Sequence, residues 1–115
     1  GSSMNKGDVV MLKNVATGYE FTQPNAVGVD AVIGVLTSTT SNNAWGYVQT
    51  LGKTTVLKAT NVGGGNISIG DFLGTENGVR ARKAGAGDTA FAIALEALTD
   101  ADGTLDALLI SPRGV

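Results

Sequence analysis

Thr89-Ala90-Phe91-Ala92-Ile93-Ala94-Leu95-Glu96-Ala97-Leu98 is the stretch on which the fold class turns. Its alanines, leucines and glutamate favour a helix, whereas Phe91, Ile93 and Leu95 recur at every second position, the period of a strand. A helix here makes a mixed domain; a strand leaves the chain all-β. We read a strand, with the helix as the open alternative. Strand geometry gathers Ala90, Ala92 and Ala94 on the other face, where small side chains let a neighbouring layer or subunit approach closely.

The segments on either side are punctuated as strands. Downstream, Asp100-Ala101-Asp102-Gly103-Thr104 reads as a turn and Leu105 to Ile110 as a last strand, ended by Pro112 and Gly114. Upstream, Asn77-Gly78 is a hairpin signal between Ile67 to Gly74 and Val79 to Arg82. Gly63-Gly64-Gly65-Asn66 breaks the chain before that. Leu51-Gly52-Lys53 predicts a tight hairpin joining a strand over Ala44 to Thr50 with one over Thr54 to Ala59. Ser38 to Asn43 is a polar loop, and Val27 to Thr37, apolar on both parities, predicts a buried central strand. Asp8 to Lys13 is the first strand. Tyr19 to Thr22 is a short second one, which Pro24 marks as an edge.

Seventeen glycines among 115 residues, with two prolines, support the same many-turned β reading, since average glycine usage is roughly 7%. Hydrophobic residues at 43% and charged residues at 16% are enough apolar content for one folded domain. Gly1-Ser2-Ser3 reads as the remnant of a cleaved expression tag, which leaves residues 4–115 as a single domain expected to begin at Met4.

Composition removes several functions. The chain has no cysteine and no histidine, so disulfide frameworks, zinc sites on those ligands, Cys–His or Ser–His nucleophiles and histidine acid/base chemistry are excluded. Glu20, Asp30, Glu76 and Glu96 are scattered without a spacing that converges, so an enzyme is not expected. A net charge of −2 without a basic block disfavours nucleic acid. Apolar runs such as Ala90 to Leu95 and Ala107 to Ile110 fall short of the roughly 20 residues of a membrane helix, so no membrane partner is expected. Asp100-x-Asp102-Gly103 resembles the start of a calcium loop, but its twelfth position is Ser111 and no flanking helices are predicted; no metal or cofactor is expected.

Three Gly-Asp pairs, Gly7-Asp8, Gly70-Asp71 and Gly87-Asp88, each lead into an apolar segment. Carboxylates at such places invite a catalytic or metal reading. The simpler one is that glycine takes a positive-φ turn position while the aspartate accepts local backbone N–H groups. Their unequal intervals do not make a repeat. Trp45 and Tyr47 share one parity and are read as core or subunit-interface aromatics rather than a ligand platform.

In order, Lys6-Gly7-Asp8-Val9-Val10, Ala31-Val32-Ile33-Gly34-Val35, Ile67-Ser68-Ile69-Gly70-Asp71-Phe72-Leu73, Ala92-Ile93-Ala94-Leu95-Glu96-Ala97 and Leu105 to Ile110 form a succession of motifs. It resembles the small capsid decoration (cement) proteins of tailed bacteriophages, of the lambda-like head decoration type. The resemblance spans nearly all of Met4 to Ile110, departing where Ala92 replaces the glycine usual before the Ala-Leu-Glu stretch. Related arrangements occur in trimeric tail fibre and spike domains that bind host receptors, the alternative function. The resemblance implies an all-β, mostly antiparallel β-clip or β-tulip barrel or sandwich with few or no helices. It further implies a non-enzymatic virion protein, made in the bacterial host cytoplasm and bound as homotrimers to the major capsid protein on the outer surface of the expanded head. The N-terminal segment, Met4, Asn5, Lys6 and Asp8, is then expected to face the capsid as an arm that orders on docking. Ser38 to Asn43 or the Gly63 to Asn66 turn would project outward. Neither a cofactor nor a small-molecule substrate belongs to this reading.

Overall fold

The computed structural model describes residues 4–15, 18–22, 32–39, 46–76 and 78–115. Among these residues nine strands occur, β1 (Val9–Val15), β2 (Gly18–Thr22), β3 (Val32–Leu36), β4 (Val48–Gln49), β5 (Gly52–Ala59), β6 (Phe72–Thr75), β7 (Ala81–Lys83), β8 (Thr89–Ala94) and β9 (Gly103–Gly114). No helix occurs among the described residues. The deciding stretch is therefore a strand over Thr89–Ala94, and the fold is all-β. The first four strands form a sheet in the order β2-β1-β3-β4, and the other five close a barrel in the order β5-β7-β6-β8-β9. Neighbours pair antiparallel except β5 with β7, which meet in parallel at Ala59 and Ala81.

Alternation fills the barrel. On β9, Leu105, Ala107 and Leu109 are buried and the residues between them are not. They meet Leu57, Ala59, Leu73, Ala81, Ala92 and Ala94 in one core. The small face expected at Ala90, Ala92 and Ala94 is thus the interior itself, where five strands curving around a narrow axis leave little room. Two register shifts re-aim side chains. One, between Thr54 and Leu57, lets two buried residues stand three apart on β5. The other, between Ala90 and Ala92, brings Phe91 into the core beside the alanines.

Sheet and barrel share that core through Val9 and Val35, which are paired across β1 and β3. On the opposite parity, Val10 and Leu36 pack with Met4, Val48 and Val79. β3 lies inside the sheet and β2 at its edge, as expected, although residues 27–31 and Pro24 fall outside the described residues. β6 and β7 do form a hairpin, in which Thr75 opposes Ala81 and the Glu76 N–H bonds the Arg80 carbonyl at 2.9 Å, although Asn77 falls outside the described residues.

Two expectations are corrected. The Leu51-Gly52-Lys53 turn does not make a hairpin, because β5 pairs with β9 and β7 while β4 pairs with β3. Here the chain passes from sheet to barrel. Gln49 Nε2 holds the corner, donating to the carbonyls of Leu51 at 3.0 Å and Lys53 at 2.8 Å. Nor does β9 stop at Pro112; Arg113 pairs with Ala90 and Gly114 with Thr89. Pro112 falls within the irregular stretch between the Leu109 and Arg113 pairings, where no ladder bond demands its missing N–H.

Candidate functional site

The N-terminal segment is built from a tight turn. The Asp8 N–H bonds the Asn5 carbonyl at 3.0 Å, Gly7 takes φ 90°, and Asp8 Oδ2 accepts the Asn5 N–H at 2.9 Å. Its other oxygen, Oδ1, faces Lys58 Nζ at 2.6 Å. Main-chain bonds fasten the turn on both sides. Gly7 N–H donates to Leu36 and Leu36 N–H to Asp8, while Lys58 N–H donates to Gly7, at 2.9, 3.0 and 3.1 Å. A methyl group at Gly7 would stand 2.2 Å from the Val56 carbonyl oxygen, so the approach of the turn to β5 needs glycine. Residues 4–8 are therefore joined by main-chain bonds to both sheet and barrel.

The same turn is made three times. At Gly70-Asp71, φ is 91°, the Asp71 N–H reaches Ser68 O at 3.1 Å and its carboxylate accepts the Ser68 N–H at 2.8 Å. At Gly87-Asp88, φ is 89°, and the corresponding bonds with Gly85 are 3.1 and 2.9 Å. Each carboxylate also faces a cation: Lys58 for Asp8, Lys83 for Asp71 at 3.8 Å, and Arg82 for Asp88 at 3.5 Å. The turn chemistry was readable in the pairs themselves. The cations were not, since they stand on other strands.

The expected contact residues divide. Met4 and Asp8 face the protein's interior, whereas Asn5 and Lys6 are exposed. Trp45 and residues 40–43 lie outside the described residues. Tyr47 is 79% exposed, so within one chain it is a surface aromatic and no part of the core. Hydrogen bonds draw these separate groups together. Lys6 N–H donates to Thr39 Oγ1 at 3.2 Å, and Thr37 donates to the Tyr47 carbonyl through N–H at 3.1 Å and Oγ1 at 3.3 Å. Lys6, Thr37, Thr39 and Tyr47 thus lie together at one margin of the four-stranded sheet. Thr37 ends the expected central strand and Thr39 lies in the Ser38 to Asn43 run expected to project outward; neither was expected beside Lys6 or Tyr47, because their place depends on the pairing of β3 with β4.

The strip carries a lysine, two threonine hydroxyls and an aromatic side chain that is apolar in body and polar at its tip. Among the described residues no three His, Cys, Asp or Glu side chains group to hold a metal ion. Asp102, from the calcium-like stretch, lies 3.3 Å from Arg80 instead. The Gly63 to Asn66 turn is largely exposed, on the loop between β5 and β6. No family model, no curated protein and no solved structure matches this chain.

Proposed function

We propose that the chain is a decoration protein of a tailed-phage head, not an enzyme, that binds the outer surface of the expanded shell as trimers at local threefold axes and stabilises it. On this reading the barrel and sheet are a β-tulip-like platform and the cognate major capsid protein is the partner. The observation that carries the reading is the clustering of Asn5, Lys6, Thr37, Thr39 and an exposed Tyr47 beside the N-terminal turn. Tyrosine is among the residue types enriched at the energetic centres of protein interfaces. The order of the motifs supports the same reading, and within it Gly7-Asp8 and Gly70-Asp71 recur as turns of one geometry.

Decoration acts by mass action. A protein that binds the expanded lattice and not its precursor shifts the balance toward the former, and bridging several subunits multiplies the effect. Calorimetry of expanded, undecorated heads of the phage that encodes the chain tests this. Saturating amounts are expected to raise the shell melting temperature; an unchanged temperature contradicts the reading.

A further inference from the structure

Cross-strand pairing lines up Lys53, Leu108, Ile93 and Phe72 on four adjacent strands, β5, β9, β8 and β6. The next row along, Gly52, Leu109, Ala92 and Leu73, includes the buried Leu109, Ala92 and Leu73, so the first row lies on the outside of the barrel. Leu95 extends that outer face beyond β8, its N–H bonded to the Asp106 carbonyl at 2.9 Å. Ile69 stands close by, since the Gly70 N–H bonds Ala94 at 2.8 Å. Leu95 is 40% exposed, Leu108 39% and Ile69 71%, next to the half-buried Ile93 and Phe72. A contiguous apolar surface of this kind is what a monomer ordinarily hides.

The surrounding charge bears on the occupant. Lys53 and Asp106 are partly exposed and 3.9 Å apart, too long for a tight pair, so both keep capacity for another partner. Glu96 lies beside Asp106, accepting its N–H at 2.7 Å, and Arg113 caps Phe72 at 4.9 Å from the ring centre. Among the described residues, Lys53 and Arg113 thus balance Asp106 and Glu96 beside this face. An anionic lipid surface, or a partner of one strong sign, wants a rim of the opposite sign; a second copy of this chain meets Lys53 with its own Asp106. We propose that the outer face of β6, β8, β9 and β5 is the surface through which copies of this chain associate. From the preceding reading it takes only the premise that copies associate, and its test uses no shell.

Sedimentation velocity of the full chain over a concentration series decides it. Wild type is expected to pass from monomer to oligomer as concentration rises. Leu108→Glu and Leu95→Glu are expected to weaken that association roughly ten-fold or more. Val62→Glu, on a 56% exposed residue of the loop after β5, is expected to leave it unchanged. Thermal melts establish that each variant is folded, and Leu95→Glu, beyond the end of its strand, supplies the answer if Leu108→Glu is not. A wild type that stays monomeric, a folded Leu95→Glu variant that associates as wild type does, or a Val62→Glu variant that dissociates overturns the proposal.

Discussion

Lys58 Nζ lies 2.6 Å from Oδ1 of Asp8, 50 positions earlier in the chain, and the pair ties the N-terminal turn to strand β5. The Asp8 side chain is 4% exposed and the Lys58 side chain 22%. Taking away one partner leaves the other with an uncompensated desolvation penalty, more severe for the drier Asp8. Lys58→Met is therefore expected to lower unfolding free energy by about 2–4 kcal/mol. Adding Asp8→Asn to it should recover part of the loss, because the two effects are coupled. Urea denaturation reads both; a strictly additive double variant contradicts the pairing.

The three Gly-Asp turns share a backbone but not a setting. Gly7, Gly70 and Gly87 have φ of 90°, 91° and 89°, yet only at Gly7 would a methyl group meet other atoms, 2.2 Å from Val56 O. Gly70→Ala and Gly87→Ala are expected to cost about 1–2 kcal/mol, the penalty of the left-handed backbone alone. Gly7→Ala should cost more than either by at least about 2 kcal/mol, since backbone must move. Equal melting temperatures for the three variants would show that the turn of residues 5–8 is not clamped against β5.

Hydrogen bonding and charge can be separated at Asp71. Its carboxylate accepts the Ser68 N–H at 2.8 Å, while Lys83, at 3.8 Å, is 47% exposed. Asp71→Asn keeps an oxygen acceptor and is expected to stay within about 0.5 kcal/mol of wild type, an exposed ion pair being worth little. Asp71→Ala loses the acceptor and should cost about 1 kcal/mol. Chemical denaturation of the two variants gives the comparison; the reverse order would assign the stabilising role to Lys83.

The barrel interior gives a fourth expectation. Ala92 and Ala94 are fully buried among Leu73, Leu105, Ala107 and Leu109. Ala92→Leu adds volume where closed strands cannot spread, so a loss of about 1–3 kcal/mol is expected by thermal denaturation. A neutral Ala92→Leu variant would mean that the interior is loosely filled.

Period-two patterning made the strands legible, because side chains that alternate in sequence alternate in space whatever the partner strand is. Ile93, with Ala92 and Ala94 opposite it, marked β8 in that way, whereas Phe91 shares the parity of Ile93 but is turned inward by the register shift between Ala90 and Ala92. Legibility failed where pairing is long-range. Nothing in Leu51-Gly52-Lys53 tells that β5 will seek β9, some 50 residues on, rather than turn back on β4. Pro112 looked like a stop because the irregular register that accommodates it is a property of two strands together. At the site, the Gly-Asp turns were readable from local chemistry, whereas the burial of Asp8 against Lys58 and the approach of Thr39 to Lys6 depend on the assembled fold.

On the proposed contact surface, Tyr47→Ala is expected to weaken shell binding by about 2 kcal/mol, roughly thirty-fold, through loss of an aromatic anchor. Because the ring is 79% exposed, the melting temperature of the free chain should barely move. Lys6→Glu reverses an exposed charge and is expected to weaken binding with a marked salt dependence. Binding isotherms on expanded shells check both; wild-type affinity in the two variants would move the contact to another face.

Co-sedimentation of the purified chain with expanded, undecorated heads, and with unexpanded procapsids as control, tests decoration most directly. The expected result is saturable binding to expanded shells alone. Absence of binding to either shell contradicts the account and leaves receptor binding by a tail module as the reading to pursue.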